Sequence, residues 1–154
     1  MAIDRCKQKI AGRRDLPAEV KARVEDYWQS YQTATENAGL IVPTHPEFVQ
    51  TLKRVWAYSD FAAQTCVRSP ELLDDLRRSG QLFLSESGGA VRRRVDKAVF
   101  NVPDEPELMR ILRVLRRREM LRIAVRDLAG WALLEETLRD LSLLADACIT
   151  AVST

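Results

Sequence analysis

Arginine is the residue type whose spacing in this chain points most directly to chemistry. Seven arginines fall between positions 110 and 126, opposed there only by Glu119, and give the segment a net charge of +6. They are Arg110, Arg113, Arg116, Arg117, Arg118, Arg122 and Arg126. Guanidinium groups bind phosphate through paired hydrogen bonds, so an arginine-lined helix is suited to hold a nucleotide or nucleic acid. The candidate anion-binding or domain-contact face consists of Arg110, Arg113 and Arg117.

A packing interpretation competes with the anion site. Residues 127–154 contain five acidic residues against Arg139 alone, a net charge of −4. Arginine stems can cover apolar surface while their charged ends pair with an acidic helix alongside. We favour this interpretation because the acidic stretch follows the arginines directly, and the anion site stays open.

A second basic cluster, Arg92 to Arg94 with Lys97, is typical of solvated surface. The whole chain has 24 Lys and Arg against 22 Asp and Glu, a formal net charge of only +2. Such a near-balance argues against nucleic acid as a partner.

The remaining chemistry-bearing residues predict no active site. His45 is the only histidine and is expected at a helix start. Cys6, Cys66 and Cys148 form no CxxC pair, which excludes the common zinc and disulfide patterns and fits a reducing compartment. Cys66 and Cys148 have apolar spacing and are expected in the core. We therefore predict no catalytic residue, no metal ligand and no cofactor-binding residue in this chain.

The elements that must position these residues are predicted to be helices throughout. The apolar residues of the first long segment show helical spacing: Val20, Val24, Tyr27, Trp28 and Tyr31. The predicted fold class is all-α, a helical bundle whose two long C-terminal helices run antiparallel. We expect one helical domain over residues 1–154, with N-terminal helices in 15–80, a loop and short helix in 81–103, and the long helix pair in 104–154.

Capping residues predict where several helices begin. Thr44 is expected to cap the second helix, and Ser69, before Pro70, a later one. Ser59 with Asp60 is expected to mark either a break or a point where a new helix is capped. Asp104 and Glu107 have the spacing of a capping box.

The last helix has the most regular apolar seam, with residues alternating by four and three: Leu134, Leu138, Leu141, Ala145 and Cys148. If the seam is exposed, we expect it to pair two copies of the chain as a homodimer.

The N-terminal stretch MAIDRCKQKIAGRRD is charged and has no continuous apolar core of a signal peptide. The longest apolar stretch, residues 128–134, is far shorter than the roughly 20 residues that span a bilayer. We expect no membrane partner and a cytoplasmic location.

Several strings in the chain are similar to a known family. Residues 54–61 (RVWAYSDF) and 66–73 (CVRSPELL) resemble the N-terminal region of glutamine synthetase adenylyltransferase. The resemblance is stronger in residues 108–113 (LMRILR), 116–124 (RRREMLRIA) and 126–130 (RDLAG), and residues 133–149 continue it.

This resemblance implies a bifunctional enzyme with two nucleotidyltransferase domains. The family attaches AMP to a tyrosine of glutamine synthetase and removes it by phosphorolysis, under the control of a PII-type signal protein and glutamine. Mg²⁺ and ATP are implied for the whole enzyme, and glutamine synthetase, the PII protein and the enzyme's own nucleotidyltransferase domain are the implied partners. The family's paired aspartates have no counterpart in this chain, so we expect the N-terminal helical segment of such an enzyme, inactive alone.

An alternative function is a stand-alone helical interaction module. Such a module would bind an acidic protein or a nucleic acid through the arginines between Arg110 and Arg126.

Overall fold

Seven helices and no strand occupy residues 15–153, the part of the chain that the computed structural model describes. The helices are α1 (Ala18–Asn37), α2 (Pro46–Tyr58), α3 (Asp60–Arg68), α4 (Pro70–Arg78), α5 (Ala90–Val99), α6 (Glu105–Leu128) and α7 (Leu134–Ser153). The prediction of an all-α bundle is therefore confirmed. Within this range, no helix is both long and apolar enough to cross a membrane. The expectations for Cys6 and for a targeting sequence in residues 1–14 lie outside the described residues.

Two of the predicted helix caps form with their side chains. The Ser59 hydroxyl accepts a hydrogen bond from the backbone N–H of Ala62 at 3.1 Å and begins α3. The Asp104 carboxylate accepts from the N–H of Glu107 at 2.9 Å and begins α6. The reciprocal half of the predicted capping box is absent from the hydrogen bonds of residues 15–153, because the Glu107 carboxylate binds Arg110 instead.

Two other caps differ from the prediction. Thr44 does not cap α2, since His45 occupies the N-cap position and Pro46 begins the helix. A residue before proline is held in an extended conformation, which is the backbone state of an N-cap. Ser69 is at the N-cap of α4 as predicted, but its side chain makes no capping hydrogen bond there.

The first of two hydrophobic clusters joins α1, α2, α3 and α4 to the C-terminal half of α6. Three aromatic rings form its centre, with centroids 5.7 Å apart for Trp28 and Tyr31, 6.1 Å for Trp28 and Trp56, and 5.5 Å for Tyr31 and Trp56. Trp56 is completely buried and Trp28 nearly so. Cys66 is also buried in this cluster, and burial raises the pKa of its thiol to about 12.

The second cluster joins α5, α6 and α7. Helices α6 and α7 run antiparallel, because Arg122 of α6 pairs with Asp140 and Arg126, one turn later, pairs with Glu136, one turn earlier. Helix α6 is the only described helix that contributes to both clusters, and it packs against α2, α3, α4, α5 and α7. The arginines of α6 therefore lie on the central element of the bundle.

The buried face of α7 is not the predicted apolar seam of Leu134, Leu138, Leu141, Ala145 and Cys148, which we call the α7 seam. The buried residues of this helix are Asp140, Leu144 and Ala147. In the α7 seam, Leu134, Leu138 and Ala145 are exposed and Leu141 and Cys148 are half-buried. The regular spacing thus identified an apolar stripe correctly, but the helix turns a neighbouring stripe toward the core.

Candidate interaction surface on helix α6

The arginines of α6 divide into an inner set and an outer set. Arg118, Arg122 and Arg126 form the inner set and are at most 9% exposed. Residues four apart lie on one face of a helix. That face is turned toward the segment between α4 and α5 and toward α7, where carbonyl and carboxylate oxygens receive the guanidinium groups.

Arg122 is the most deeply buried member of the inner set, with no exposed surface. Its guanidinium donates to the carbonyl oxygens of Gln81 and Leu84, both at 3.0 Å, and to Oδ2 of Asp140 at 3.1 Å. The Glu86 carboxylate lies 3.8 Å away as a further ion pair. Arg122 thus connects the α4–α5 segment to α7 through the body of α6.

The other two inner arginines make similar connections. Arg126 donates to the carbonyl oxygen of Leu82 at 3.1 Å and to Oε1 of Glu136 at 2.9 Å. Arg118 donates to the Asp75 carboxylate of α4 at 2.7 Å and to Glu119 at 2.9 Å. The packing interpretation is confirmed for Arg122 and Arg126, whose guanidinium groups pair with acids of α7. Arg118 is buried as well, but it pairs with Asp75 of α4 and Glu119 of its own helix instead.

Arg94 of α5 belongs to the same network, although its cluster was expected to be solvated surface. Its guanidinium binds Glu119 at 2.8 Å and Glu86 at 2.6 Å. Burial lowers the pKa of Arg94, but the hydrogen bonds that its guanidinium donates to Glu86 and Glu119 outweigh burial and hold the pKa above its usual value. Arg92, Arg93 and Lys97 are exposed, as predicted.

The outer set consists of Arg110, Arg113, Arg116 and Arg117, all exposed. Arg110 forms a bidentate ion pair with Glu107, one turn earlier in the helix, in which Nη2 lies 2.6 Å from Oε1 and Nε lies 2.8 Å from Oε2. Their mutual hydrogen bonds lower the pKa of Glu107 and raise that of Arg110. Across residues 15–153, the other three outer arginines have neither an ion pair nor a side-chain hydrogen bond. Their charge is therefore available to another molecule or segment.

The free arginines line a surface cleft between α3 and α6. One part of about 270 Å³ is lined by Phe61, Gln64, Thr65, Arg68 and Arg117. The adjoining part of about 480 Å³ is lined by Phe61, Arg113, Arg116, Arg117 and Met120. Phe61 and Arg117 belong to both parts, so we treat them as one surface, the arginine cleft. Its lining contains four arginines, an aromatic ring and a thioether, and no acidic residue.

The arginine cleft contains two of the three residues predicted for an anion or contact face. Arg113 and Arg117 lie together in it, whereas Arg110 lines neither part and is paired with Glu107. Sequence reasoning missed Phe61 and Arg68, which come from α3. Nothing in the sequence of α3 indicates that it crosses α6 at this point, since the contact is made in three dimensions only.

In the described range, the side chains are not arranged in a way that supports catalysis by a metal ion or a nucleophile. Among residues 15–153, no group of three or more His, Cys, Asp and Glu side chains could hold a metal ion. The described residues therefore do not fit the Mg²⁺ implied by the resemblance. His45 is exposed at the start of α2, while Cys66 is buried with its thiol pKa raised.

Comparison with known proteins identifies the family. The model of the glutamate-ammonia ligase adenylyltransferase family matches residues 49–154. Bifunctional glutamine synthetase adenylyltransferase/adenylyl-removing enzymes are similar as well. The enzyme of Nitrosococcus oceani is 40% identical over 88% of this chain, that of Thioalkalivibrio sulfidiphilus 42% over 87%, and that of Pseudomonas aeruginosa 44% over 67%.

The chain spans about 14% of the length of the first two relatives and about 10% of the third. No solved structure matches it. The matched region contains α3 to α7 in full, and with them both arginine sets. This chain belongs to the glutamate-ammonia ligase adenylyltransferase family.

Proposed function

We propose that this chain is a non-catalytic helical segment of an enzyme that attaches AMP to glutamine synthetase and removes it again. The family match over residues 49–154, with relatives of 40–44% identity that bear this name, is the observation on which the proposal rests. In this proposal ATP and Mg²⁺ bind elsewhere in the enzyme, which acts in the cytoplasm.

Within that enzyme, the inner arginines hold the segment rigid and the outer arginines contact the rest of the protein. Arg113 and Arg117 of the predicted contact face have no acidic partner in residues 15–153, so they favour such a contact. A nucleotidyltransferase domain of the same polypeptide is the partner we propose for them. Glutamine synthetase is the substrate, and a PII-type protein is the regulator.

The first test measures phosphorolysis by the chain itself. The 154-residue chain is incubated with adenylylated glutamine synthetase and phosphate, and ADP is quantified. Phosphate would attack the phosphorus of the tyrosine-linked AMP, so ADP and the free tyrosine would be the products. We expect no ADP from the chain and steady release from the full-length Pseudomonas aeruginosa enzyme as the positive control. Reproducible ADP release by the chain would contradict its proposed non-catalytic role.

The second test asks whether the chain can serve as part of the enzyme. The matching segment of the Pseudomonas aeruginosa enzyme is replaced by the 103 aligned residues of this chain, and both activities are measured. We expect the chimera to keep adenylylation and deadenylylation within about tenfold of the parent, because the chain is 44% identical to it over the aligned residues. A folded chimera without either activity would count against the proposal.

The free charge of the arginine cleft also supports the alternative, a stand-alone module for nucleic acid. Binding to several phosphates would fall steeply as salt concentration rises. A titration of the chain with duplex DNA at low salt tests this alternative directly. We expect no binding, in line with the net charge of +2.

A further inference from the structure

The arginine cleft combines the three kinds of side chain that are enriched at the centre of protein interfaces. Phe61 is 45% exposed, and Met120 is only half-buried beside Arg113, Arg116 and Arg117. Aromatic residues, methionine and arginine are over-represented in interface cores, whereas acidic residues and lysine are depleted. The cleft lining follows that composition, since it contains no acid and no lysine.

The spacing of the charged residues suits a helix as the ligand. Arg113, Arg117 and Met120 are separated by four and three residues, so they form a row along one face of α6. At a rise of about 1.5 Å per residue, Arg113 and Arg117 are about 6 Å apart along the helix axis. Carboxylates four residues apart on a second helix have the same separation, and an apolar residue one turn further along that face would reach the level of Met120.

A free phosphate compound would use only part of this surface. It would bind the guanidinium groups but would leave Phe61 and Met120 in water. In addition, the three arginines of α6 in the cleft are exposed, so no buried donor is fixed in advance around a small anion. An apolar ligand without charge would, conversely, leave four guanidinium groups around it unpaired.

From these observations we propose that the arginine cleft is the docking site of an acidic amphipathic helix from a protein partner. Its acidic residues pair with Arg113 and Arg117, and its apolar row packs on Phe61 and Met120. Residues 1–14 of this chain are excluded as the occupant by their sequence, since five basic residues against Asp4 give them a net charge of +4. The inference rests on the proposed function only in placing the partner helix within the same enzyme.

The binding test uses a fluorescent helical peptide of about 18 residues, long enough to form a helix in water. It is built from Glu, Leu and Ala, with glutamates four residues apart on either side of a leucine row. A scrambled peptide of the same composition is the first control. We expect the 154-residue chain to bind the patterned peptide at least about tenfold more tightly than the scrambled one, since only the former presents its charge and apolar row together.

Three variants of the chain separate docking in the cleft from general attraction to acidic peptides. Arg113→Glu with Arg117→Glu should weaken peptide binding at least about tenfold, because like charges would then face each other. The matched control, Arg93→Glu with Lys97→Glu, makes the same charge change at the same spacing on α5 and should weaken binding by less than about twofold. Phe61→Ala leaves the charge unchanged and should also weaken binding, since the apolar row loses its contact. Circular dichroism checks that each variant is folded.

Several results would overturn the inference. One is equal binding of the two peptides, and another is equal loss in the two charge-reversal variants. A third is binding of ATP or inorganic phosphate, lost in Arg113→Glu with Arg117→Glu, without binding of either peptide, because the cleft would then be an anion site. A fourth is self-association abolished by the same variant, which would make a second copy of the chain the occupant. None of these measurements requires catalysis or glutamine synthetase, so they fail independently of the proposed function.

Discussion

Replacing Arg122 by methionine removes the central connection of the bundle while keeping a side chain of similar length. Three hydrogen bonds are lost, two to carbonyl oxygens of the α4–α5 segment and one to Asp140. The carboxylate of Asp140 is only 7% exposed, so it cannot recover full hydration in the variant. Arg139 lies 3.2 Å from this carboxylate and is the one other cationic partner of Asp140 among residues 15–153.

The expected loss follows from this geometry. Removing one partner of a buried ion pair commonly costs about 3–5 kcal/mol of stability. Because Asp140 keeps its contact with Arg139, we expect Arg122→Met to fall in the lower part of that range, at about 3–4 kcal/mol. The free energy of unfolding of a domain of this size is about 5–15 kcal/mol, so the variant would lose a large share of it. Adding Asp140→Leu should recover part of the loss, because the uncompensated charge is then gone.

Urea denaturation followed by tryptophan fluorescence measures these differences, since Trp28 and Trp56 lie in the core. The matched control is Arg113→Met on the same helix. Arg113 is exposed and has no ion pair in residues 15–153, so we expect a change within about 0.5 kcal/mol. A loss below about 1 kcal/mol for Arg122→Met, or one equal to that of Arg113→Met, would refute the role assigned to the inner arginines.

Three further predictions concern other parts of the bundle. Burial raises the pKa of Cys66 from 9.0 to about 12, so its contribution to stability is complete below pH 9 and is lost as the pH rises toward 12. Urea titrations from pH 8 to 11 should therefore show that the free energy of unfolding falls less steeply with pH in Cys66→Ala than in the unmodified chain, by up to about 1.4 kcal/mol per pH unit. An equal pH dependence in the two proteins would contradict this. Asp104→Ala should cost about 1 kcal/mol in the same assay through loss of the α6 cap, whereas no loss would show that the cap is dispensable. Sedimentation should detect dimers of the chain that Leu138→Glu with Ala145→Glu abolishes, and a strict monomer at high concentration would exclude pairing through the α7 seam.

The sequence predicts the helices well because their signals are local. Ser59 and Asp104 accept hydrogen bonds from amides three residues along the chain, so their effect depends on nothing distant. Thr44 shows the limit of that reasoning, because the fixed geometry of Pro46 moved the start of α2 by one residue. Competition between two adjacent local signals cannot be resolved from residue types alone.

Burial and partnership, in contrast, depend on elements far apart in the chain. The periodicity of α7 defines an apolar stripe, but the face that is buried contains Asp140, whose partner Arg122 is on another helix. Arg94 likewise looks like one residue of a solvated run until Glu119 is placed beside it. In the candidate site, Arg113 and Arg117 could be named because they share a helix face. Phe61 could not, because only the crossing of α3 and α6 brings it there.

The hydrogen bonds that Arg122 and Arg126 make to the α4–α5 segment end on main-chain oxygens, those of Gln81, Leu82 and Leu84. Every amino acid has such an oxygen, so these bonds do not depend on which side chains the segment presents. Exchanges at an exposed position such as Leu84 are therefore neutral for this attachment, whereas inserting or deleting one residue would move all three oxygens out of reach. During divergence, selection would preserve the length of this segment and the acid at Glu86, which pairs with Arg94, while exposed positions such as Leu84 drift and the two arginines stay fixed.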